Sequence, residues 1–246
     1  MKRVLFLWAA LIVLFSFPGK VWVMENQKGA AGASRTEKYR YEATPTDHPT
    51  SPKEFIEMEF RDAAEATEYR SRIISLASSE DIFIQMDKDA QFISGTRRCV
   101  QGPDTPVQQE KIWTNRHAVV VERNREGGVE RKEYRPPPDK ELAVEGSLLA
   151  RLRFFPFDQG IKWHLFMVDF SGYSISVTVH QEGREKITVP AGEFECYRMV
   201  ILVSIPLLRP EIIYWLSIQK PNFLVKHQGK RGPFTPSYTT SLVSIQ

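Results

Sequence analysis

Strict alternation of apolar and charged side chains recurs along this chain and restricts the fold more than any other feature. Ile56, Met58 and Phe60 alternate with Glu57, Glu59 and Arg61. Successive side chains on a pleated strand point to opposite faces, so such a run makes one apolar and one wet face. Ile175, Val177 and Val179 do the same against Ser174, Ser176, Thr178 and His180. Ala118, Val120 and Glu122 interleave with Val119, Val121 and Arg123, and Gly127-Gly128 separates this run from a second at residues 129–135. Gly-Gly tolerates the positive φ of tight hairpins, so the two runs predict a hairpin. The expected domain is mainly β: a single curved antiparallel sheet, or a half-barrel or barrel-like domain, with one short helix.

Prolines and apolar spacing divide the pattern. Pro136, Pro137 and Pro138 cannot sit in a central strand and mark a crossover between an N-terminal and a C-terminal half of the sheet. The helix is expected over residues 142–153, where Leu148, Leu149 and Leu152 share a face before Pro156 stops it. Residues 63–76 carry mixed signals: Ala63, Ala64 and Ala66 favour a helix, whereas Tyr69, Ile73 and Ile74 fit a strand, which we place from about Thr67.

The N-terminus reads differently from the rest. Lys2 and Arg3 precede an uncharged stretch over residues 4–17, broken by Pro18, Gly19 and Lys20. That is the layout of a secretory signal, and the run falls short of the roughly 20 residues a membrane-spanning helix needs. Residues 1–33 are therefore expected to be a signal peptide, with an uncleaved anchor as the alternative, and 34–246 the β domain. Ala31-Gly32-Ala33 is the only cleavage-like triplet, and no cysteine follows the apolar run to take a lipid. The expected location is the periplasm or cell envelope. Removing residues 1–33 takes four of the 33 basic and one of the 30 acidic residues, leaving 29 of each. A formally neutral domain gives no electrostatic reason to expect nucleic acid.

Candidate chemistry is sparse. Asp87-Lys88-Asp89 opens like a calcium loop, but Phe92 stands where the turn glycine belongs. His48, His117, His164, His180 and His227 are scattered without metal-ligand spacing. There is no G-x-S-x-G elbow and no glycine-rich phosphate loop. No catalytic residue, metal or cofactor is expected. Cys99 and Cys196 are the only thiols. In an oxidising compartment they are a candidate disulfide, worth about 4 to 5 kcal/mol if unstrained, against the alternative of two separate buried thiols.

The segment from Gly183 to Val203 reads as strand, turn and strand around Val189-Pro190-Ala191-Gly192-Glu193-Phe194. Pro190 removes a ladder donor, Gly192 can take a turn conformation closed to other residues, and Phe194 restarts burial. This block closely resembles the most recognisable motif of the bacterial domain-of-unknown-function family 3108. The resemblance extends upstream to Ser147-Leu148-Leu149-Ala150-Arg151-Leu152-Arg153 with Pro156, Phe157 and Gly160, and downstream to Tyr214-Trp215-Leu216-Ser217 and Phe223-Leu224-Val225-Lys226. It covers roughly residues 140–246 and implies an exported, β-rich protein without assigned chemistry. In architecture alone the chain is also similar to the half-barrel lipoprotein carriers of the bacterial envelope, whose curved sheet wraps an apolar cavity.

Several strands are apolar on both faces. Trp163, Leu165 and Met167 project one way, and Phe166, Val168 and Phe170 the other. Such a strand must be covered twice, either by core alone or by core on one face and an apolar ligand on the other. On the second account the lining is Phe154, Phe155, Phe157, Trp163, Phe166, Tyr197, Met199 and Trp215. Arg151 and Arg153 beside the phenylalanines are a candidate contact with an anionic membrane surface. Two partners follow: a lipid or other hydrophobic small molecule carried inside the sheet, or an envelope protein docked on exposed strand edges and the aromatic loop. An unrecognised hydrolase is a third reading.

Overall fold

A computed structural model describes residues 35–47, 52–62, 66–76, 78–101, 107–115, 118–125, 128–205, 210–230 and 236–246. The expected export segment, His48, His117 and Gly127 lie outside the described residues.

The alternating runs become strands in a simple order. Eight come first: β1 (Arg35–Pro45), β2 (Glu54–Asp62), β3 (Ala66–Ile74), β4 (Ser78–Asp87), β5 (Phe92–Gln101), β6 (Gln108–Asn115), β7 (Ala118–Arg125) and β8 (Gly128–Tyr134). Each pairs antiparallel with the next, including the expected β7–β8 hairpin. The second half holds β9 (Glu141–Val144), the helix α1 (Glu145–Leu152), β10 (Lys162–Val168), β11 (Ser174–Val189), β12 (Gly192–Ser204), β13 (Glu211–Ser217), β14 (Leu224–Lys230) and β15 (Ser237–Ile245). β1 pairs with β15, which joins the halves into one fifteen-stranded sheet with β8 and β9 as its outermost strands. It is a single large sheet not closed into a barrel. The triple proline stands where expected, between β8 at one edge and β9 at the other.

Two expectations change. The sheet is not wholly antiparallel, because β9 pairs with β10 in parallel, Leu142 opposite Phe166 and Val144 opposite Val168. A helix between two strands returns the chain to its starting end, which makes the pair parallel. The helix is also shorter than residues 142–153, because Leu142 to Val144 are taken by that pairing. Val144 is still extended (φ −111°, ψ 137°), and the Ser147 hydroxyl donates to its carbonyl at 2.8 Å. Ser147 thereby caps an end that its own position three residues in would not announce.

Cross-strand register shows what α1 covers. Tyr39, Met58, Ser71, Ile82, Arg97 and Glu110 lie in one row across β1 to β6, and Glu37, Phe60, Tyr69, Ile84, Gly95 and Ile112 in the next. α1 sits against this face: a Cβ on Gly146 would stand 3.1 Å from Ile84 Cδ1 and 3.3 Å from Ile82 Cγ2. Leu148, Leu149, Ala150 and Leu152 are buried there. At about 1.5 to 3 kcal/mol for each large side chain removed from water, these contacts hold an eight-residue helix too short to persist alone. Arg153 ends it inside the fold, bonding the Glu37 carboxylate of β1 at 2.6 Å and the Pro221 carbonyl at 3.0 Å, with its guanidinium 4.3 Å from the Phe60 ring centroid.

The Pro190-Ala191 turn joins the two longest strands. Val189 opposes Gly192, whose φ of +132° is the conformation that only glycine takes freely.

Candidate functional site

The expected apolar lining is divided between faces. Trp163 opposes Val179, and Val179 opposes Ile201, so all three share the face that also holds Met199 and Tyr197 two and four residues back along β12. The loop after α1 packs onto that face. Phe155 lies 4.7 Å from Trp163 and 5.5 Å from Phe157, and Phe157 stacks on Tyr197 at 4.0 Å with 10° between the rings. Phe166 opposes Ser176 and Trp215 opposes Arg198, one step out of register, so both belong to the other face. Trp215 is occupied there: its indole N–H donates to Glu185 at 2.9 Å, and Lys226 lies 5.1 Å from its ring. Phe155 and Met199 are buried, and Phe154 is 56% exposed. Four of the eight thus form one aromatic stack, closed by the chain's own loop.

Arg151 and Arg153 do not face outward. Both are buried: Arg151 bonds the exposed Glu141 at 2.8 Å and the Leu142 carbonyl at 3.1 Å, and Arg153 bonds the buried Glu37. The expected disulfide is also absent. Cys99 and Cys196 are free, on β5 and β12, with β4, β3, β2, β1, β15, β14 and β13 between them in the sheet. Cys99 stands opposite Glu80 and Gln108, and Cys196 opposite Glu185 and Ser217, so neither has a thiol within bonding reach. Burial, then Glu80, pushes Cys99 up to about 11, and burial, then Glu185, pushes Cys196 up to about 12. Both are thiols rather than thiolates at neutral pH, and neither is an activated nucleophile.

A buried charged cluster that the sequence did not single out lies under the turn between β10 and β11. Arg97 bonds Glu110 at 2.5 Å and Ser171 Oγ at 2.8 Å, with the Phe170 ring 5.7 Å away. Arg123 and the Tyr134 hydroxyl donate to the carbonyls of Ser171 and Gly172. The turn beyond β10 is thereby fastened to β5, β7 and β8, from the opposite half of the sheet. Glu145 is half-buried beside this cluster. Burial raises it to about 8, with Asp169 and Glu80 adding and Arg97 opposing. Asp169 is raised too, again chiefly by burial. Arg97, Arg123 and Tyr134 are spent on holding the two halves together.

An open concavity lies on the other side of the sheet. A groove of about 690 Å³ runs over β1 to β6 on the face away from α1. One row across it reads Arg40, Glu57, Arg72, Asp81, Arg98 and Gln109, and the neighbouring row reads Lys38, Glu59, Arg70, Phe83 and Thr96. Arg72 is spent on Asp81 at 2.6 Å and Lys38 on Glu59 at 3.5 Å. Among the described residues, Arg40, Arg70 and Arg98 make no ion pair, and all three are exposed. Arg40 and Arg70 instead lie 5.1 Å from the centroids of Phe55 and Phe83. The sequence did not single out these arginines, and only the register brings the three strands' cations into one concavity.

No family model matches the chain, and neither does any curated protein. Among solved structures, one similar to it is a candidate lipoprotein from Parabacteroides distasonis, 11% identical, with a TM-score of 0.34, covering 85% of this chain and 94% of that one. Another is a candidate exported protein with a YmcC-like fold from Bacteroides fragilis, 9% identical, with a TM-score of 0.30, covering 85% of this chain and 95% of that one. Among the described residues no helix is long and apolar enough to cross a membrane.

Proposed function

We propose that the chain is an exported protein of the bacterial cell envelope that acts by binding a partner rather than by catalysis, and that it binds on the open charged face of β1 to β6. One observation carries the choice of face. The inner face, where an apolar ligand would sit, is occupied by Leu148, Leu149 and Leu152 of α1 and by Phe155, all buried, whereas the outer face carries a groove with three unpaired arginines. A carrier needs an apolar cavity, and α1 stands in the place of its cargo. Export rests on the basic head and apolar stretch of residues 1–20. Kinship with family 3108 belongs to the same proposal: its motifs, in order along residues 140–246, fall on α1 and the consecutive strands β11 to β14.

The test uses the protein in its own envelope. A photo-crosslinking amino acid at Thr96, inside the groove, is expected to give a discrete adduct with another protein. The same group at Val129, exposed on the edge strand β8, is expected to give none. Adducts at Val129 alone, or a stoichiometric lipid retained in native mass spectrometry, would restore the edge-docking or carrier reading.

A further inference from the structure

The outer face of β2 to β5 ends in an apolar lip. Phe55, Ile74, Ser79 and Val100 oppose one another in turn across these strands, two residues nearer the strand ends than the charged row Glu57, Arg72, Asp81 and Arg98. Cys99 opposes Gln108, so Val107 comes next to Val100 in the same row. Leu76 stands beyond the row, at the tip of the β3–β4 turn. Serines close that turn: the Ser75 N–H donates to the Ser78 carbonyl at 3.0 Å, and the Ser78 N–H donates to the Ser75 hydroxyl at 3.1 Å. Leu76 is 85% exposed, and Phe55, Ile74 and Val107 are exposed beside it. Turns favour glycine, asparagine and aspartate at such a tip, and nothing in turn geometry calls for leucine. The opposite end of β4 follows the usual chemistry, since Asp87 accepts the N–H groups of Asp89 and Gln91 around the exposed Lys88.

We infer that this lip docks the chain on an anionic phospholipid bilayer, with Leu76, Ile74, Val107 and Phe55 inserted below the headgroups and the guanidiniums of Arg40 and Arg98 at the lipid phosphates. Depth carries the assignment. Residues two apart along a strand are separated by about 7 Å, and the apolar side of an interfacial element sits about 5 to 10 Å into the boundary between headgroups and acyl chains. A lip inserted that far brings the next row to the level of the phosphates. In that row Arg72 is paired with Asp81, and Arg40 and Arg98 stand at the two ends, exposed and, among the described residues, without an ion pair. Arg40 leans towards the lip, its guanidinium 5.1 Å from the Phe55 ring centroid. Both keep N–H groups for phosphate oxygens. A protein partner fits this feature less well, because a stable protein interface buries about 800 Å² on each side, and a row one residue deep bounded by charges does not supply it. A bilayer sets no such minimum, since each inserted side chain adds its own transfer from water. The inference rests on the envelope location proposed above and does not depend on what occupies the groove.

The experiment attaches an environment-sensitive nitrobenzoxadiazole probe to the purified Leu76→Cys chain, or to the Lys88→Cys chain at the opposite end of β4, and adds vesicles of phosphatidylethanolamine and phosphatidylglycerol. The parent, with Cys99 half-buried and Cys196 buried, sets the labelling background. Emission from the Leu76→Cys chain is expected to shift to the blue and to be quenched by doxyl-labelled lipid, and the Lys88→Cys chain should show neither. Because the readout is specific to the site, attachment through the N-terminal apolar stretch does not imitate it. With the probe moved to Val107→Cys, adding Leu76→Ser should weaken the response to lipid at least about tenfold, since one large apolar side chain no longer leaves water. That variant should melt like the parent, because Leu76 is exposed. Arg40→Gln/Arg98→Gln should weaken the response at least about fivefold on these vesicles at low salt. No shift at Leu76→Cys, equal shifts in the Leu76→Cys and Lys88→Cys chains, or an unchanged response in either the Leu76→Ser or the arginine variant would overturn the inference. A protein adduct at Thr96 without insertion of the lip rejects the lip alone, and insertion without that adduct supports the lip and rejects the groove as the protein-binding face.

Discussion

Arg153 and Glu37 bury opposite charges, 6% and 7% exposed, where α1 ends against β1. Such a pair contributes little net stability beside an apolar pair of the same shape, yet removing Arg153 leaves the buried Glu37 carboxylate with only the exposed Arg35 at 3.0 Å and the Tyr39 hydroxyl at 2.9 Å. Arg153→Ala is therefore expected to lose about 3 to 5 kcal/mol in urea unfolding. The double substitution Arg153→Met/Glu37→Leu should recover most of that loss; a loss as large as in the single variant would show that the bonds of Arg153 to Pro221, and not the stranded carboxylate, dominate. The cysteines give a second expectation at this scale. Iodoacetamide should label two thiols in the denatured chain and almost none in the native one within the same time, and reducing agent should leave the melting temperature unchanged. The sequence could not decide this pairing, because spacing along the chain says nothing about the seven strands between Cys99 and Cys196 in the sheet.

Elements formed largely where local pattern predicts them, and their limits moved where a distant strand competed. β3 begins at Ala66, one residue before the expected Thr67, because Ile73 and Tyr69 find inward partners in Ile56 and Phe60. The β7–β8 hairpin needed no distant information, since Gly127-Gly128 separates two runs adjacent in the chain. α1 lost Leu142 and Val144 to pairing with β10, a contact invisible to helix-stop signals. Its Gly146 packs on Ile84 and Ile82, and Gly95 lies beside Ile84 on the same face of the sheet. A Cβ there would come within 2.8 Å of Ile84 Cδ1, 3.0 Å of the Phe83 carbonyl and 3.2 Å of the Phe170 ring. Gly95→Ala should destabilise by about 1 to 3 kcal/mol, because the carbonyl cannot move without breaking β4–β5 pairing. Leu152→Ala, at the fully buried end of α1, should cost about 2 to 5 kcal/mol. Both are measured as shifts in the urea midpoint at constant m-value.

At the scale of the whole molecule, the two halves of the sheet are fastened by the charged cluster under the β10–β11 turn, and the carboxyls beside it make stability respond to pH. Glu145 titrates at about 8 when folded against an ordinary 4.5, so between those values the folded chain holds a proton that the unfolded chain has released. Stability is greatest at the low end of that window and falls as pH rises towards 8, and Asp169, also raised, adds in the same direction. The melting temperature should therefore drop between pH 5.5 and 8.5, and Glu145→Gln should flatten the drop and raise stability at the alkaline end. An unchanged slope in that variant would assign the dependence elsewhere. The sequence by itself determined a mainly β domain with one short helix, a proline-marked crossover and wet and dry strand faces, because alternation and turn chemistry act over a few residues. Only the tertiary structure decided that β1 closes on β15, that α1 fills the inner face, that the eight proposed lining residues divide between two faces, and that Arg40, Arg70 and Arg98 share a groove. Those outcomes depend on register between strands far apart in the chain, and a shift of one residue would turn every one of those side chains to the opposite face.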